Sequence, residues 1–177
     1  MLLRGSAHLL VVLILLVGCS RPAGGDSSVS SLADAVRVPT PGVSEEAQVR
    51  RVVDGDTIDV SVGAGTRRIR YIGMNTPESV DPNRPVQCFG KEAAERNRLL
   101  VEGKRVRLER DISETDRFGR TLRYVWVGDV QINARLVQEG YAQVAMFPPD
   151  VRYQDLFVRL QREAQEAKRG LWGACNR

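Results

Sequence analysis

The sequence predicts an α+β domain in which five strands form a small barrel and helices pack on it. Five short segments are rich in β-branched residues. Helical patterns follow the third and the fifth of these segments, and one more lies near the end of the chain. Residues 48–177 are enough for one such domain with a hydrophobic core of its own.

The predicted strands are short and are separated by turn signals. Gly63 and Gly65 bracket a turn between the second and the third strand, and Gly128 with Asp129 closes the fifth. By position, the predicted strands are residues 49–53, 57–62, 67–72, 105–110 and 122–127.

Three helices are predicted from composition and apolar spacing. Residues 90–101 are rich in Ala, Glu, Arg and Leu, and a glycine follows them closely. Ile132 and Leu136, four positions apart, indicate a short helix that ends at Gly140. A long last helix, stopped near Gly170, is predicted from one apolar stripe of Leu156, Leu160, Ala164 and Ala167.

The first 19 residues are typical of an export signal. Arg4 supplies a positive start, and residues 9–17 are an unbroken apolar run, shorter than the roughly 20 residues that cross a membrane as a helix. The segment that ends in Gly18 and Cys19 resembles the lipobox of bacterial lipoproteins. That resemblance implies acylation of Cys19 and a lipid anchor in a membrane. A plain secreted protein with a chance cysteine is the alternative.

Residues 20–47 predict a tether between this anchor and the folded domain. Gly, Ser, Pro, Ala and Asp dominate the segment, no apolar period is present, and Pro39 and Pro41 forbid a helix there. Because such a segment buries too little apolar surface to offset its ordering entropy, we expect it to be disordered. The folded domain then takes up residues 48–177.

The chain is basic, with 26 Lys plus Arg against 22 Asp plus Glu and a net charge of +4. This balance fits a polyanionic partner, although a solvated basic surface would give it as well. The single histidine, His8, lies in the export signal. A histidine-dependent hydrolytic mechanism is therefore excluded for the mature chain, and a carboxylate is the general base to expect.

Two cysteines remain in the mature chain if Cys19 carries lipid. Cys88 and Cys175 are an even pair in an exported protein, which favours a disulfide between them. A metal site is the weaker alternative, because no histidine is present to complete it.

Three short clusters hold the candidate functional side chains. They are residues 54–57 (Asp-Gly-Asp-Thr), Arg70 with residues 75–78 (Asn-Thr-Pro-Glu), and residues 116–120 (Asp-Arg-Phe-Gly-Arg). The planar fork of arginine can hold phosphate oxygens and spread the charge that builds up on them. Hard oxygen ligands can hold calcium or magnesium beside the same phosphate. The combination predicts a nuclease.

Four segments resemble the staphylococcal (micrococcal) nuclease family, also called the thermonuclease family. They are residues 53–57, 70–78, 116–120 and 133–137, and the resemblance spans nearly all of residues 49–172, in the same order and with similar gaps. It implies an OB-fold, a five-stranded barrel with three helices. It also implies a calcium-dependent hydrolase that cleaves DNA and RNA and leaves 3′-phosphate ends.

The resemblance also implies roles for individual side chains. The catalytic positions are Arg70, Glu78 and Arg120, and the calcium ligands are Asp56, Asn75 and the backbone carbonyl of Thr76. Asn75 stands where the family has a second aspartate. An amide oxygen can still bind calcium, but one negative charge is lost, so we expect weaker binding or a changed ion preference.

Each of these side chains also has an ordinary structural alternative. Asp56 follows Gly55 and could merely stabilise a turn. Glu78 follows Pro77, which suits the presentation of a carboxylate to water, but a surface glutamate is the alternative. Arg70 lies in a predicted strand on the face opposite its neighbours, and it reaches a phosphate only if that face lines a groove.

The expected nucleic-acid contacts differ from those of the family. Phe118 lacks the hydroxyl of the family's tyrosine, and Arg117 replaces a lysine. Met146 and Pro148 stand where the family has tyrosines that stack on a base, and Phe147 lies between them. Arg117, Phe118, Met146 and Phe147 remain the candidate nucleic-acid-binding residues, with altered base contacts.

Three functions are consistent with the sequence. The first is a monomeric, lipid-anchored, calcium-dependent nuclease in the cell envelope, outside the cytoplasm, that acts on DNA and RNA and needs no protein partner. The second is a non-catalytic nucleic-acid-binding OB-fold lipoprotein. The third is a structural envelope lipoprotein with an inherited fold. Retention of Glu78 favours the first, because binding alone does not require it.

Overall fold

Five strands close into a barrel in the part of the chain that the computed structural model describes, residues 42–80 and 85–175, and three longer helices and a short fourth one accompany it. This confirms the predicted fold class. The elements in chain order are β1 (Ser44–Asp54), β2 (Thr57–Val62), β3 (Gly65–Tyr71), β4 (Met74–Asn75), α1 (Gly90–Val101), β5 (Arg105–Glu109), β6 (Thr121–Val127), β7 (Val130–Gln131), α2 (Ile132–Gln138), β8 (Gln143–Val144), α3 (Gln154–Glu166) and α4 (Leu171–Ala174).

A parallel pairing of β3 with β6 closes the barrel. The other neighbours in the strand order β3-β2-β1-β5-β6 are antiparallel, and β7 extends the sheet as a hairpin with β6. In the closing pair, Ile69 lies opposite Thr121 and Arg70 lies opposite Leu122. Arg70 is thereby placed beside the start of β6, next to the turn that precedes it. Closure also leaves these strands no open edge along their paired length.

The first strand begins earlier than the sequence analysis predicts. Residues 44–47, assigned there to the tether, pair with β5, where Ser44 lies opposite Glu109 and Ala47 opposite Val106. The side chain of Glu45 is held by Arg67 at 2.5 Å. Two adjacent glutamates, Glu45 and Glu46, hid the strand pattern, and the partners of Glu45, Arg67 and Arg123, are supplied only by the folded sheet.

Apolar side chains from alternate strand positions fill the barrel, as the period of two requires. Two buried asparagines link the strands to the helices. Asn97 of α1 donates from Nδ2 to the carbonyl of Asp54 at 3.2 Å and accepts the Tyr71 hydroxyl at 3.0 Å. Asn133 of α2 accepts the amide of Val125 at 2.9 Å. Such satisfied polar groups fix where each helix sits. The largest barrel side chains are Val49, Ile58, Val60, Ile69, Tyr71, Met74 and Leu108.

The buried face of the long helix α3 overlaps only in part with the predicted apolar stripe. Phe157 of α3 is fully buried and Ala164 is buried, but Leu156 and Leu160 are only half-buried and Ala167 is exposed. The Phe157 ring belongs to a second buried cluster, with Ile72, Tyr124 and Tyr153. The predicted stripe is therefore wrong at Ala167 and omits Phe157, the residue that anchors the helix.

The predicted disulfide is present in the structure. Cys88 and Cys175, 87 positions apart, are bonded, with 5.9 Å between their Cα atoms. Cys88 precedes α1 by two residues and Cys175 directly follows α4, so the bond ties the C-terminal end to the start of the first helix.

The N-terminal predictions lie outside the described residues. These are the export signal at residues 1–19, lipidation of Cys19 and residues 20–41 of the tether. In residues 42–80 and 85–175, no helix is long and apolar enough to cross a membrane.

Candidate active site

A groove lies beside the β3–β6 junction and holds both candidate arginines. Its volume is about 450 Å³. Arg70 projects from β3, and Arg120 comes from the turn before β6, so the closure of the barrel brings them to one place. The side chains in its lining that bear on chemistry are Arg70, Asp116, Arg117, Phe118, Arg120 and Phe147.

Arg70 is largely buried and is bound by two of the predicted metal ligands. Its side chain is 14% exposed and contacts Asp56 Oδ1. Its Nη2 also donates to Asn75 Oδ1 at 2.6 Å. Burial, and then the positive charge of Arg120, lower the pKa of Arg70 to about 10. Arg70 therefore stays charged at neutral pH, and the two guanidinium groups are near enough to repel.

Asp56 links the first motif cluster to the second. Its Oδ2 accepts the backbone amide of Thr76 at 3.0 Å, and its Oδ1 accepts the Thr57 hydroxyl at 3.0 Å. A Cβ on Gly55 would come within 2.6 Å of Thr76 Oγ1, so only glycine lets the two turns approach this closely. The carboxylate of Asp56 is thus held in place and is 3% exposed at the residue level.

The donor set around Asp56 fits a hard cation. It combines a carboxylate, the Asn75 amide oxygen and the Thr76 carbonyl, which are the oxygen types that calcium prefers. The Thr76 hydroxyl is buried and has no hydrogen-bond partner among the described residues, and it lies beside this cluster. Within residues 42–80 and 85–175, no three or more acidic, histidine or cysteine side chains form a metal cluster, so any ligand set here is a mixed one.

Two carboxyl groups face each other at the next turn. Glu78 Oε1 accepts the amides of Ser79 at 3.0 Å and Val80 at 2.9 Å, and the Ser79 hydroxyl donates to Asp54 Oδ1 at 2.5 Å. Burial, reinforced by the adjacent Glu78 carboxyl, raises the pKa of Asp54. The sequence analysis assigns no role to Asp54. A signal for it was available, because Asp54 stands two residues before Asp56 in the same acidic motif.

Asp116 orients Arg120. Its Oδ2 accepts Arg120 Nε at 2.6 Å, and its Oδ1 accepts the amides of Phe118 at 2.9 Å and Arg120 at 3.0 Å. Burial acts to raise the pKa of Asp116, but these donors outweigh it and hold that pKa below the usual value. Gly119 supports the turn with a φ of +77°. The sequence analysis includes Asp116 in its cluster but misses this role.

Aromatic side chains stand exposed at the groove. Phe118 is 68% exposed, with the Arg117 guanidinium 4.7 Å from its ring centre, and Phe147 is 72% exposed. Met146 differs from the prediction. It is half-buried and packs on the cluster around Phe157, whereas Pro148 lines the groove. The Met146 side chain is thereby used for packing.

The structure therefore brings the predicted catalytic and ligand residues to one region of the molecule. Two arginines line the groove, the oxygen cluster binds the first of them, and the carboxyls of Asp54 and Glu78 add negative potential at Arg70. Paired guanidinium groups beside carboxylates suit the cleavage of a phosphodiester. The class of protein that this arrangement defines is a nuclease.

Comparison with known proteins supports the same class, a nuclease. Residues 68–174 match the family model described as "Staphylococcal nuclease homologue". The chain is 43% identical to a thermonuclease of Staphylococcus intermedius over 128 residues, which is 72% of this chain and 76% of the relative. It is 43% identical to a thermonuclease of Staphylococcus hyicus over 125 residues, 71% and 74% of the two chains. The chain belongs to the staphylococcal nuclease family.

A more distant relative carries the same activity in its name. Endonuclease YncB of Bacillus subtilis (strain 168) is 37% identical over 124 residues, which is 69% of this chain and 59% of that protein. The predictions of family, fold and enzyme class are confirmed by these matches, and the protein is a nuclease.

Proposed function

We propose that this nuclease is calcium-dependent and hydrolyses both DNA and RNA to 3′-phosphate ends. One observation supports this above the others: Arg70 and Arg120 line a single groove, and Arg70 contacts the oxygens of Asp56 and Asn75. A phosphate bound between the arginines would lie beside the candidate calcium ligands.

The chain's own residues account for the chemistry of cleavage. Arg70 and Arg120 bind the non-bridging oxygens of the scissile phosphate and stabilise the negative charge that develops there. Glu78 orients the attacking water and accepts its proton. The water oxygen bonds to phosphorus, the bond from phosphorus to the 5′ oxygen breaks, and that oxygen takes a proton from solvent. Calcium, bound by Asp56, Asn75 and the Thr76 carbonyl, would supply further positive charge beside the phosphate.

The groove offers contacts that DNA and RNA share. Exposed aromatic rings stack on the face of any base, and arginines bind phosphates of either nucleic acid. Phe118 and Phe147 are both more than half exposed and lie in the groove lining. Unpaired bases reach such rings more easily than stacked ones, so single-stranded segments are the preferred substrate.

The function test is cleavage of a fluorescent single-stranded oligonucleotide. With calcium, the wild-type chain is expected to cleave both DNA and RNA oligonucleotides, and a chelator is expected to abolish cleavage. Glu78→Gln keeps the size of the side chain but removes its ability to accept a proton, so turnover should fall by about 10²–10⁴-fold. Salt-sensitive binding without cleavage by the wild-type chain would instead support a non-catalytic module.

Asn75 sets the affinity for calcium in this proposal. Asn75→Asp should tighten calcium binding about tenfold, roughly 1.4 kcal/mol, because a second carboxylate joins the ligand set. The new carboxylate also attracts Arg70, but a divalent ion carries twice the charge of a guanidinium. Calorimetric titration of the substrate-free protein measures the change.

Gln143→Glu is the matched control for this change. Gln143 is exposed and lies opposite Asn75 in the β4–β8 pair, so the substitution adds the same charge nearby without adding a ligand. A smaller gain is expected for it. Equal gains in the two variants, or no gain in Asn75→Asp, would contradict ligation by residue 75.

We also propose that the nuclease works in the cell envelope as a monomer, anchored by lipid at Cys19. The apolar run before Cys19 supports the anchor, and the disulfide suits an oxidising compartment. Cell fractionation tests this: Cys19→Ser should release the protein from the membrane fraction. An unchanged distribution would refute the lipid anchor.

A further inference from the structure

Gln87 binds both backbone polar groups of Glu78. The side-chain Oε1 of Gln87 accepts the backbone amide of Glu78 at 2.9 Å. The backbone amide of Gln87 donates to the backbone carbonyl of Glu78, also at 2.9 Å. One residue, nine positions further along the chain, therefore fixes the backbone of the candidate general base from two sides. These two hydrogen bonds fix the position of the Glu78 backbone, from which its side chain projects.

The Glu78 carboxylate is held by the turn that carries it. Its Oε1 accepts the amides of Ser79 and Val80, so the carboxylate and the turn move together. A displacement of the Glu78 backbone would therefore displace the carboxylate as well. The bonds from Gln87 thus control the position of the reactive group, although Gln87 does not touch it in either bond.

Gln87 is itself held by the start of α1 and by the disulfide at the next residue. Its carbonyl accepts the amide of Gly90, the first residue of α1, at 3.0 Å. Gly90 lies so close to this turn that a Cβ on it would come within 2.5 Å of the Glu78 carbonyl oxygen. The next residue after Gln87 is Cys88, which is bonded to Cys175.

Cys175, the second cysteine of the disulfide, is held by hydrogen bonds that lead through α4 to the end of α2. The Cys175 amide donates to the Leu171 carbonyl at 3.0 Å, and the Leu171 amide donates to the Gly140 carbonyl at 2.9 Å, just beyond α2. The rings of Phe89 and Tyr141 also meet, with centres 5.2 Å apart. The segment that carries Gln87 is thus tied to the C-terminal helices through Cys88.

We propose that Gln87 is a positioning residue for Glu78 and that the Cys88–Cys175 disulfide holds Gln87 in place, so that turnover depends on both. The proposal rests on the function proposed above, in which Glu78 acts on the attacking water. A disulfide that only stabilises the fold is the rival interpretation. It predicts a lower melting temperature on reduction, with unchanged kcat at temperatures where the protein stays folded.

Two substitutions test Gln87 with the disulfide intact. Gln87→Met keeps the length of the side chain but removes the acceptor, and it should lower kcat about fivefold to tenfold, as the loss of one hydrogen bond allows. KM and the calcium dependence should stay within about twofold. Gln87→Glu retains an acceptor of the same length and should keep most of the wild-type kcat.

Val86→Met is the matched control for these variants. Val86 is the neighbouring residue and is 50% exposed, so a methionine there should leave kcat unchanged. Equal kcat values for Gln87→Met and Val86→Met would overturn the positioning role. A loss in Gln87→Met that Gln87→Glu does not relieve would also overturn it, because the acceptor would then not be the cause.

Chemical reduction tests whether the Cys88–Cys175 disulfide holds Gln87 in place. A phosphine supplies two electrons and water supplies two protons, which convert the disulfide to two thiols, and the phosphine becomes its oxide. Cys88 is exposed, so the reagent can reach the bond. Reduction should lower the wild-type kcat by about as much as Gln87→Met does, and reoxidation should restore it. Reduction of Gln87→Met should cause little further loss, because its contact to Glu78 is already broken.

Circular dichroism of both redox states, well below the melting temperature, shows that the compared proteins are folded. If reduction lowers kcat by the same factor in wild type and in Gln87→Met, the link between the disulfide and Gln87 is overturned. A lower melting temperature without any change in kcat would overturn it too. Unfolding of the reduced protein at low temperature would overturn the link as well, because the disulfide would then only stabilise the fold, and the oxidised Gln87 variants would still test the positioning role of Gln87.

Glu78→Gln separates the two proposals. If it retains wild-type turnover, the function proposed for Glu78 is wrong and the role of Gln87 falls with it. If Glu78→Gln is inactive while Gln87→Met matches wild type, only the Gln87 proposal is wrong.

Discussion

The parallel pairing of β3 with β6 is the constraint on which the site depends. Arg70 lies near the end of β3, and the Arg120 turn directly precedes β6, so their separation is fixed only when these strands pair. A parallel pair requires a long crossover connection. In this chain that connection contains residues 75–78, α1 and β5. The connection between the two barrel-closing strands therefore also delivers Asn75, Thr76 and Glu78, whereas Asp56 comes from the turn between β1 and β2.

Charge balance is the second determinant of the site. A buried guanidinium is costly unless it is paired, and Arg70 obtains its partners from Asp56 and Asn75. This one side chain thereby connects two loops that come from different parts of the chain. A bound phosphate and a divalent ion would meet the same groups, with the phosphate taking the arginine and the ion taking the oxygens.

Much of the fold could be predicted because β-branched runs and glycine turns act locally, but partners set by the tertiary structure could not. Residues 44–47 look like a tether until Arg67 pairs with Glu45. The face of α3 is centred on Phe157, whose ring enters a cluster with Ile72, Tyr124 and Tyr153 that only the folded chain assembles. In the site, the residue types were predictable from motif and resemblance. The holding role of Asp116 was not, because it consists of hydrogen bonds that close only in the folded turn.

A double-mutant cycle on kcat tests most directly whether Arg70 and Arg120 hold one phosphate. Arg70→Lys, Arg120→Lys and the double variant would be compared on one single-stranded substrate, with folding checked for each. Lysine keeps the charge but loses the planar fork, so each single change should slow cleavage. If both groups bind the same phosphate, the loss in the double variant should be clearly smaller than the product of the single losses. Losses that multiply would mean that the two arginines act independently.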